Sequence, residues 1–517
     1  MLKNIFKNLR NNKNGTMLVT VMMVTAILLA IVIGQTGLVI MRHKLNKIKV
    51  ASAQALHVAE AGVNYYRWVL YHDHDEYLSR PGCAPGVTCG PFGPYEYKDS
   101  EDGTVSGYYE LYLTPPAVNG STIVTVKAIG WLASMPSAKR SIEVRCGISS
   151  WSTYSTLADD FMRFGSGTEV WGPIHSNKGI RFDGVAHNLI SSAVLNWDDP
   201  DHNVLLESTP FDDPNEFGVH NHSQLPVDPI PDGNNPPQNV PAKSNIFLAG
   251  RAFPVNTVSF DLLNNYIGEV YALATSAGIV FDPLPAASAD PYSVPEYRGC
   301  GVAGSTCDEG FHITLKNNNT FDIRGVTSER IDLLCPLFKS NSINNQEATI
   351  RNYSIPSNGI IFVKKRAWID GAINNSRVTV IAFEDPFIGG LADINITDDI
   401  AYTPPRDNSG NDTIGLIAQR NVNIGQFSDD NLEINAALIA RNGKIQREWY
   451  PLICQYDSRD TITVFGSLAT KERYGFAFTD GTGYNTRNLI YDNNLTFAPP
   501  PHFPTTGEYT FISWDEE

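Results

Sequence analysis

The chain has 517 residues, 42% hydrophobic and 10% aromatic, enough for two to four cored domains of ~150 residues and too apolar for full disorder. Charged residues are only 18% while Gly (41) and Pro (32) are plentiful, a turn-rich and weakly charged composition that favours β-structure over helical bundles. Of the 39 cations eight precede Val50 and none of the 55 acids do, so the rest of the chain carries −24, which excludes nucleic acid as a partner of the body.

The first 15 residues hold Lys3, Lys7, Arg10 and Lys13 and no acid. No charge then occurs from Thr16 to Met41, and those 26 residues as a helix would span ~39 Å, enough for a hydrocarbon core of ~30 Å. The apolar run is too long for a secretory signal peptide and no small-residue cleavage site follows it. The basic leader predicts a cytoplasmic N-terminus, a single pass and an extracytoplasmic C-terminal body. The helical pattern continues past four more cations (Arg42, Lys44, Lys47, Lys49) to about Leu70. Leu45, Ile48, Ser52, Ala55, Ala59, Val63, Tyr66 and Leu70 share one face, so the second half is amphipathic and should pack a domain.

A basic leader ending in Gly15, then "TMLVTVMMVTAILLA", resembles the class III signal of type IV pilins, and "ASAQALHVAEAGVNYYRW" resembles the A-x-x-A-E-A-G segment of PilX-type minor pilins. The resemblance implies cleavage between Gly15 and Thr16 by a prepilin peptidase, methylation, insertion in the inner (cytoplasmic) membrane with lipid around the helix, and later packing against other pilins in a filament. Pilins of the bulk filament carry Glu at the fifth mature position, where this chain has Thr20; the resemblance then points to a tip-like place with no neighbouring amine to match. The other reading of the same residues is a plain anchor that never joins a filament.

Residues 42–150 are expected to form the amphipathic helix and a small antiparallel sheet, with strands over 108–113, 121–131 and 139–148. In the last, Ile142, Val144 and Cys146 alternate with Ser141, Glu143 and Arg145. Residues 151–517 read as a large β-helix-like domain, with a β-sandwich as the alternative. "VWGPIHSNKGIRFDG", "IIFVKKRAWIDG", "GLIAQRNVNIG", "ALIARNGKIQ" and "GSLATKERYGF" each give an apolar strand, a polar turn and a second strand. Leu416 to Leu438 is 22 residues and Leu438 to Leu468 is 30, an uneven solenoid period. The stretch 358–446 resembles the C-terminal domain of PilX-type surface proteins. A Pro-rich insertion over about 200–245 reads as an extended loop. The helix after it, 259–278, should plug one end or side of the β domain through Phe260, Leu263, Ile267, Tyr271 and Ala274, with Ser259 and Gly278 as caps. The fold class is therefore α+β and mainly β.

Seven cysteines in two Gly-rich loops and beyond suggest small disulfides, Cys83–Cys89 and Cys300–Cys307, with Cys146 left over; the spacing is not that of a zinc site. Weak metal candidates are His72, Asp73 and His74 at the helix end, His220 and His222 in the Pro-rich loop, and Asp407 with Asp412 in "DNSGND", read either as a loose Ca2+ site or as an Asx-rich turn. No other cofactor is expected. Asp370, Glu384, Asp393, Asp398 and Asp399 could supply a glycosidase pair, but no pattern aligns them and no nucleophile, zincin or P-loop motif occurs, so an enzyme is not expected. The function read from this is a minor pilin or pilus-assembly protein at or near a filament tip, displaying a β domain for adhesion to a surface or glycan. The alternatives are a permanently anchored cell-surface binding protein and, third, a surface carbohydrate-active β-helix enzyme.

Overall fold

The computed structural model describes residues 13–99, 103–116, 123–199, 216–222, 228, 240–282, 309–384, 390–404, 406 and 412–516. They form one long N-terminal helix, an antiparallel sheet and a large mostly-β domain. The contacts divide into two compact units, and the boundary falls inside strands.

In the first unit, α1 (Lys13–His72) is one unbroken 60-residue helix. The run from Met17 to Val50 is exposed throughout. Leu45 and Ile48, expected on the packing face, are about half exposed (47% and 50%), so packing begins one turn later at Ala51. From there Ala55, Val58, Ala59, Val63, Tyr66 and Leu70 are buried. They face an antiparallel meander of β1 (Cys89–Lys98), β2 (Val105–Thr114), β3 (Val124–Leu132) and β4 (Met135–Ser150). In β4 Ile142, Val144 and Cys146 point inward, as the alternation required. Small residues on the helix allow close approach. A Cβ on Gly130 of β3 would lie 2.5 Å from both Ala55 O and Ala59 N.

A fifth strand, Thr505–Glu516, completes this sheet beside β4. The sequence assigned everything after residue 151 to the second domain; the chain from Phe511 onward instead belongs to the first unit. Nothing local marks such a strand, because a sheet accepts any edge partner of the right alternation.

The second unit is a stack of mostly parallel strands, a β-helix-like solenoid, with an antiparallel patch over Gly310–Lys316, Thr320–Glu329, Ile343–Gln346 and Arg351–Ser354. The apolar run of each coil pairs in register with the next: Val380 with Leu416, Leu416 with Leu438, Leu438 with Leu468. The uneven spacing is absorbed in the turns, while the leucines remain stacked. Early coils are short and three-sided. Thr156–Ala158, Ile174–Ser176 and Ile190–Ser192 stack on one side, Met162–Phe164, Ile180–Phe182 and Val219–His220 on a second, Glu169–Trp171 and Val185–Ala186 on a third. Their inward residues join one apolar core with those of the later coils.

The chain enters this stack in its middle. Thr156–Ala158 pairs on one side with Ile174–Ser176 and on the other with the end of Ser458–Thr470, over 300 residues later. The helix Leu263–Ala277 covers the outer face of the main sheet. Phe260, Leu263, Ile267, Val270 and Ala274 are buried against Phe362, Ile381, Ile417 and Ile439. Strands such as "TIGLIA" are thus buried on both faces, which explains their lack of alternation. The expected caps are absent in that form. Ser259 makes no side-chain cap hydrogen bond, a 3-10 turn over Phe260–Leu262 precedes the helix, and Gly278 is not left-handed.

Part of the Pro-rich insertion is packed structure, a correction to the loop expected there. Phe217 and Val219 lie in the solenoid core as its third coil, because apolar residues at alternate positions outweigh the prolines around them.

Candidate functional site

The exposed half of α1 is the first candidate element. Mean polarity there is minimal, and the helix is long and apolar enough to cross a membrane by length and composition. Its hydroxyls are satisfied internally: Thr20 Oγ1 donates to Met17 O at 2.9 Å, Thr25 to Val21 O at 2.6 Å and Thr36 to Val32 O at 2.7 Å. That removes the cost of placing them in hydrocarbon. Gly15 and Thr16 fall in the first turn of α1. Thr20 presents no charge where the resemblance would want a glutamate.

At the other end of α1, His72 Nδ1 lies 2.8 Å from Trp68 O, and Asp73 Oδ1 accepts the Asp75 amide at 3.2 Å. Tyr66 Oη donates to Glu76 Oε2 at 2.9 Å, and Arg80 pairs with Glu76 at 2.7 Å. The local chemistry is a helix terminus tied to the turn after it, and His72, Asp73 and His74 do not converge on one point.

Cys83 is bonded to Cys89. Cys300 and Cys307 lie outside the described residues, as does Asp407. Asp412 is buried and accepts the Ser376 amide at 2.8 Å, as a turn carboxylate does. Cys146 is a buried free thiol, and burial pushes it up to about 12, which keeps it inert. A disulfide the sequence did not reveal joins Cys335 to Cys454, 119 residues apart. It staples two loops bearing Leu333 and Leu337 (87% and 94% exposed) and Leu452 and Ile453 (71% and 67%).

Some of the acidic residues weighed for catalysis have partners of their own, while Asp370, Asp398 and Asp399 lie close enough to act on one another. Asp370 pairs with His312 at 2.7 Å, Asp393 with Arg420, and Glu384 accepts the Leu391 amide at 2.8 Å. Asp398 and Asp399 are both held above the ordinary carboxylate range, first by burial and then by neighbouring acids. A cleft of about 610 Å³ in the second unit is lined by Arg163, Lys444, Arg473 and Arg487 with Phe164 and Tyr474, and by no acid.

Two groups among the described residues bring three ligand-type atoms within 4.8 Å of one another. One is Asp332 with Cys335 and Cys454, whose sulfurs are already bonded to each other. The other is Asp199 with His220 and His222. The two histidines were legible in "VHNHS"; their partner Asp199, twenty-one residues earlier than His220, was not.

No protein-family model matches this chain, and no curated protein does. Among solved structures, the crystal structure of the competence-associated pilin ComZ from Thermus thermophilus aligns over 90% of this chain and 97% of that one, at 12% identity and a TM-score of 0.28. A likeness so slight assigns neither fold nor role. What the chain's own geometry defines is a protein with a long apolar N-terminal helix, a helix-and-sheet head and a β-solenoid.

Proposed function

We propose that this chain is a pilin-like protein of the minor type, inserted in the cytoplasmic membrane by α1, cut between Gly15 and Thr16 by a prepilin peptidase, and then placed at or near the tip of a filament. One observation carries the reading. A single helix is free of charge and exposed from Met17 to Met41, stays exposed through four cations to Val50, and then packs a four-stranded meander from Ala51 to Leu70. Such a helix can exchange bilayer for the apolar helices of neighbouring subunits without unfolding the head. Thr20 adds no buried charge, which suits a position with no subunit amine to neutralise.

The role is mechanical rather than catalytic in this reading. The solenoid is the displayed part, and its cation-lined cleft is where a surface or glycan ligand carrying negative charge would be held. Intact mass of the membrane-associated chain, with and without a co-expressed prepilin peptidase, tests the proposal. Loss of Met1–Gly15, blocked by Gly15→Leu, is the expected result. An uncut leader under both conditions would leave a permanent anchor carrying a surface domain.

A further inference from the structure

We infer that Asp199, His220 and His222 form a binding site for a divalent transition metal of the zinc type, built on the third coil of the solenoid.

The residues are held by regular structure. His220 ends the strand Val219–His220, which pairs in parallel with Ile180–Phe182. Val219 enters the apolar core, so alternation sends the His220 ring the other way. That ring is nonetheless buried, at 1% exposure, and so is Asp199. The His220 and His222 rings lie 4.8 Å apart between centroids. The backbones of two of the ligands are anchored by acids: the Asp199 amide donates to Glu216 Oε2 at 3.1 Å, and the His222 amide to Asp183 Oδ1 at 2.8 Å.

One buried ring nitrogen of His220 makes no hydrogen bond and is turned toward the other two ligands. Its Nδ1 lies 3.1 Å from Phe217 O and 3.2 Å from Trp197 Nε1. Its Nε2 makes no hydrogen bond and faces Asp199 Oδ2 at 3.4 Å. Nδ1 has both a donor, Trp197 Nε1–H, and an acceptor, the Phe217 carbonyl, within reach, so the ring can carry its proton on either nitrogen; with it on Nδ1, Nε2 is placed to ligate a cation shared with Asp199 Oδ2. A carbonyl on the far nitrogen is the usual support of a metal-bound imidazole. The spacing agrees. Ligands ~2.0–2.1 Å from a tetrahedral ion stand roughly 3.3–3.4 Å apart, longer than a good hydrogen bond. Two imidazoles and one carboxylate suit zinc, and leave a fourth position for water. Arg181 Nη1, 3.6 Å from Asp199 Oδ2, is the competing cation and lowers the affinity of the site without filling it.

A metal here joins Asp199 to the strand that ends at His220. Binding energy is then available to hold the third coil. His222 is half-buried and gives the ion a way in.

The full chain in detergent, stripped with a chelator, is titrated with Zn2+ and separately with Co2+, whose visible spectrum reports coordination. One equivalent should bind, with the spectrum of a four-coordinate nitrogen and oxygen site and a raised melting temperature. His222→Ala should weaken binding by more than the roughly 10–100-fold that loss of a mere supporting group costs. Asp199→Asn, nearly isosteric, serves if His222→Ala misfolds. His74→Ala, at the exposed helix end, should change nothing. No uptake by the wild-type chain overturns the site. Uptake unchanged in both His222→Ala and Asp199→Asn, or lost in His74→Ala, overturns it as well.

Discussion

His312 Nε2 stands 2.7 Å from Asp370 Oδ2, with Gln346 Oε1 2.8 Å from the other ring nitrogen and Thr397 Oγ1 2.9 Å from the same carboxylate oxygen. Burial alone would lower the His312 pKa, but the hydrogen bond and charge of Asp370 outweigh it, and the net shift is upward. Burial alone would raise Asp370; the His312 hydrogen bond and charge prevail and lower it. A raised histidine stabilises the fold fully below its unfolded value of about 6.5, and that contribution is lost as pH rises through the folded value. A lowered aspartate contributes above its unfolded value of about 3.9, and the contribution is lost as pH falls through the folded value. The pair therefore supports the fold most between about pH 4 and 6.5. In Asp370→Asn the His312 titration, followed by its ring proton resonances, should move to lower pH than in the wild type. An unchanged midpoint would show that Asp370 is not its cause. Asp370 was legible only as one acid among many. Its partner is 58 residues away, and an isolated Asp carries no mark of a cross-strand histidine.

At the scale of elements, the helix was the most legible part of the chain. A charge-free run followed by a 3.6-residue period is a local signal, and the structure extends the element only to Lys13–His72. How tightly the helix meets its sheet was not legible. Gly130 reads as an ordinary glycine in a strand, yet its Cα lies under the backbone of α1. Gly130→Ala places a methyl against Ala55 O and Ala59 N, groups that cannot swing aside. Helix and β3 must separate, at a cost of about 1–3 kcal/mol. A lower urea midpoint for the helix–sheet unit is expected, while Gly34→Ala, with open space around it, should leave that midpoint in place. Equal midpoints for the two variants would refute the close contact. The helix Leu263–Ala277 was similarly legible as an amphipathic element, but its target was not; only the doubly apolar strands beneath it hinted that both their faces were covered.

For the whole molecule, the decisive feature is that early and late coils of the solenoid are neighbours. Leu468 N donates to Ser155 O at 3.0 Å and Asp159 N to Thr470 O at 3.0 Å. The first coil of the chain lies inside the stack with partners on both sides, so its opening is coupled to that of the late strand Ser458–Thr470. Leu468→Ala, in a buried ladder, should cost about 2–5 kcal/mol. Hydrogen exchange of the full chain should then quicken in Thr156–Ala158 as well as in Ser458–Thr470. Faster exchange confined to the later strand would show that the two coils do not open together.

The amino-acid order by itself determined what depends on neighbours within a few residues. It specified the lipid-compatible helix with its basic flank, the alternation of β4, and the apolar strands whose leucines at 416, 438 and 468 stack in register. Tertiary structure alone decided which elements meet. It added the C-terminal strand to the first sheet, brought Cys335 to Cys454, set the first coil of the solenoid against a late one and gathered Asp199 with His220 and His222. The physical reason is common to all four. Periodicity is written in side chains and can be read locally. Strand partners are chosen by backbone hydrogen bonds that carry no residue identity, and distant side chains converge only once the path of the chain is set.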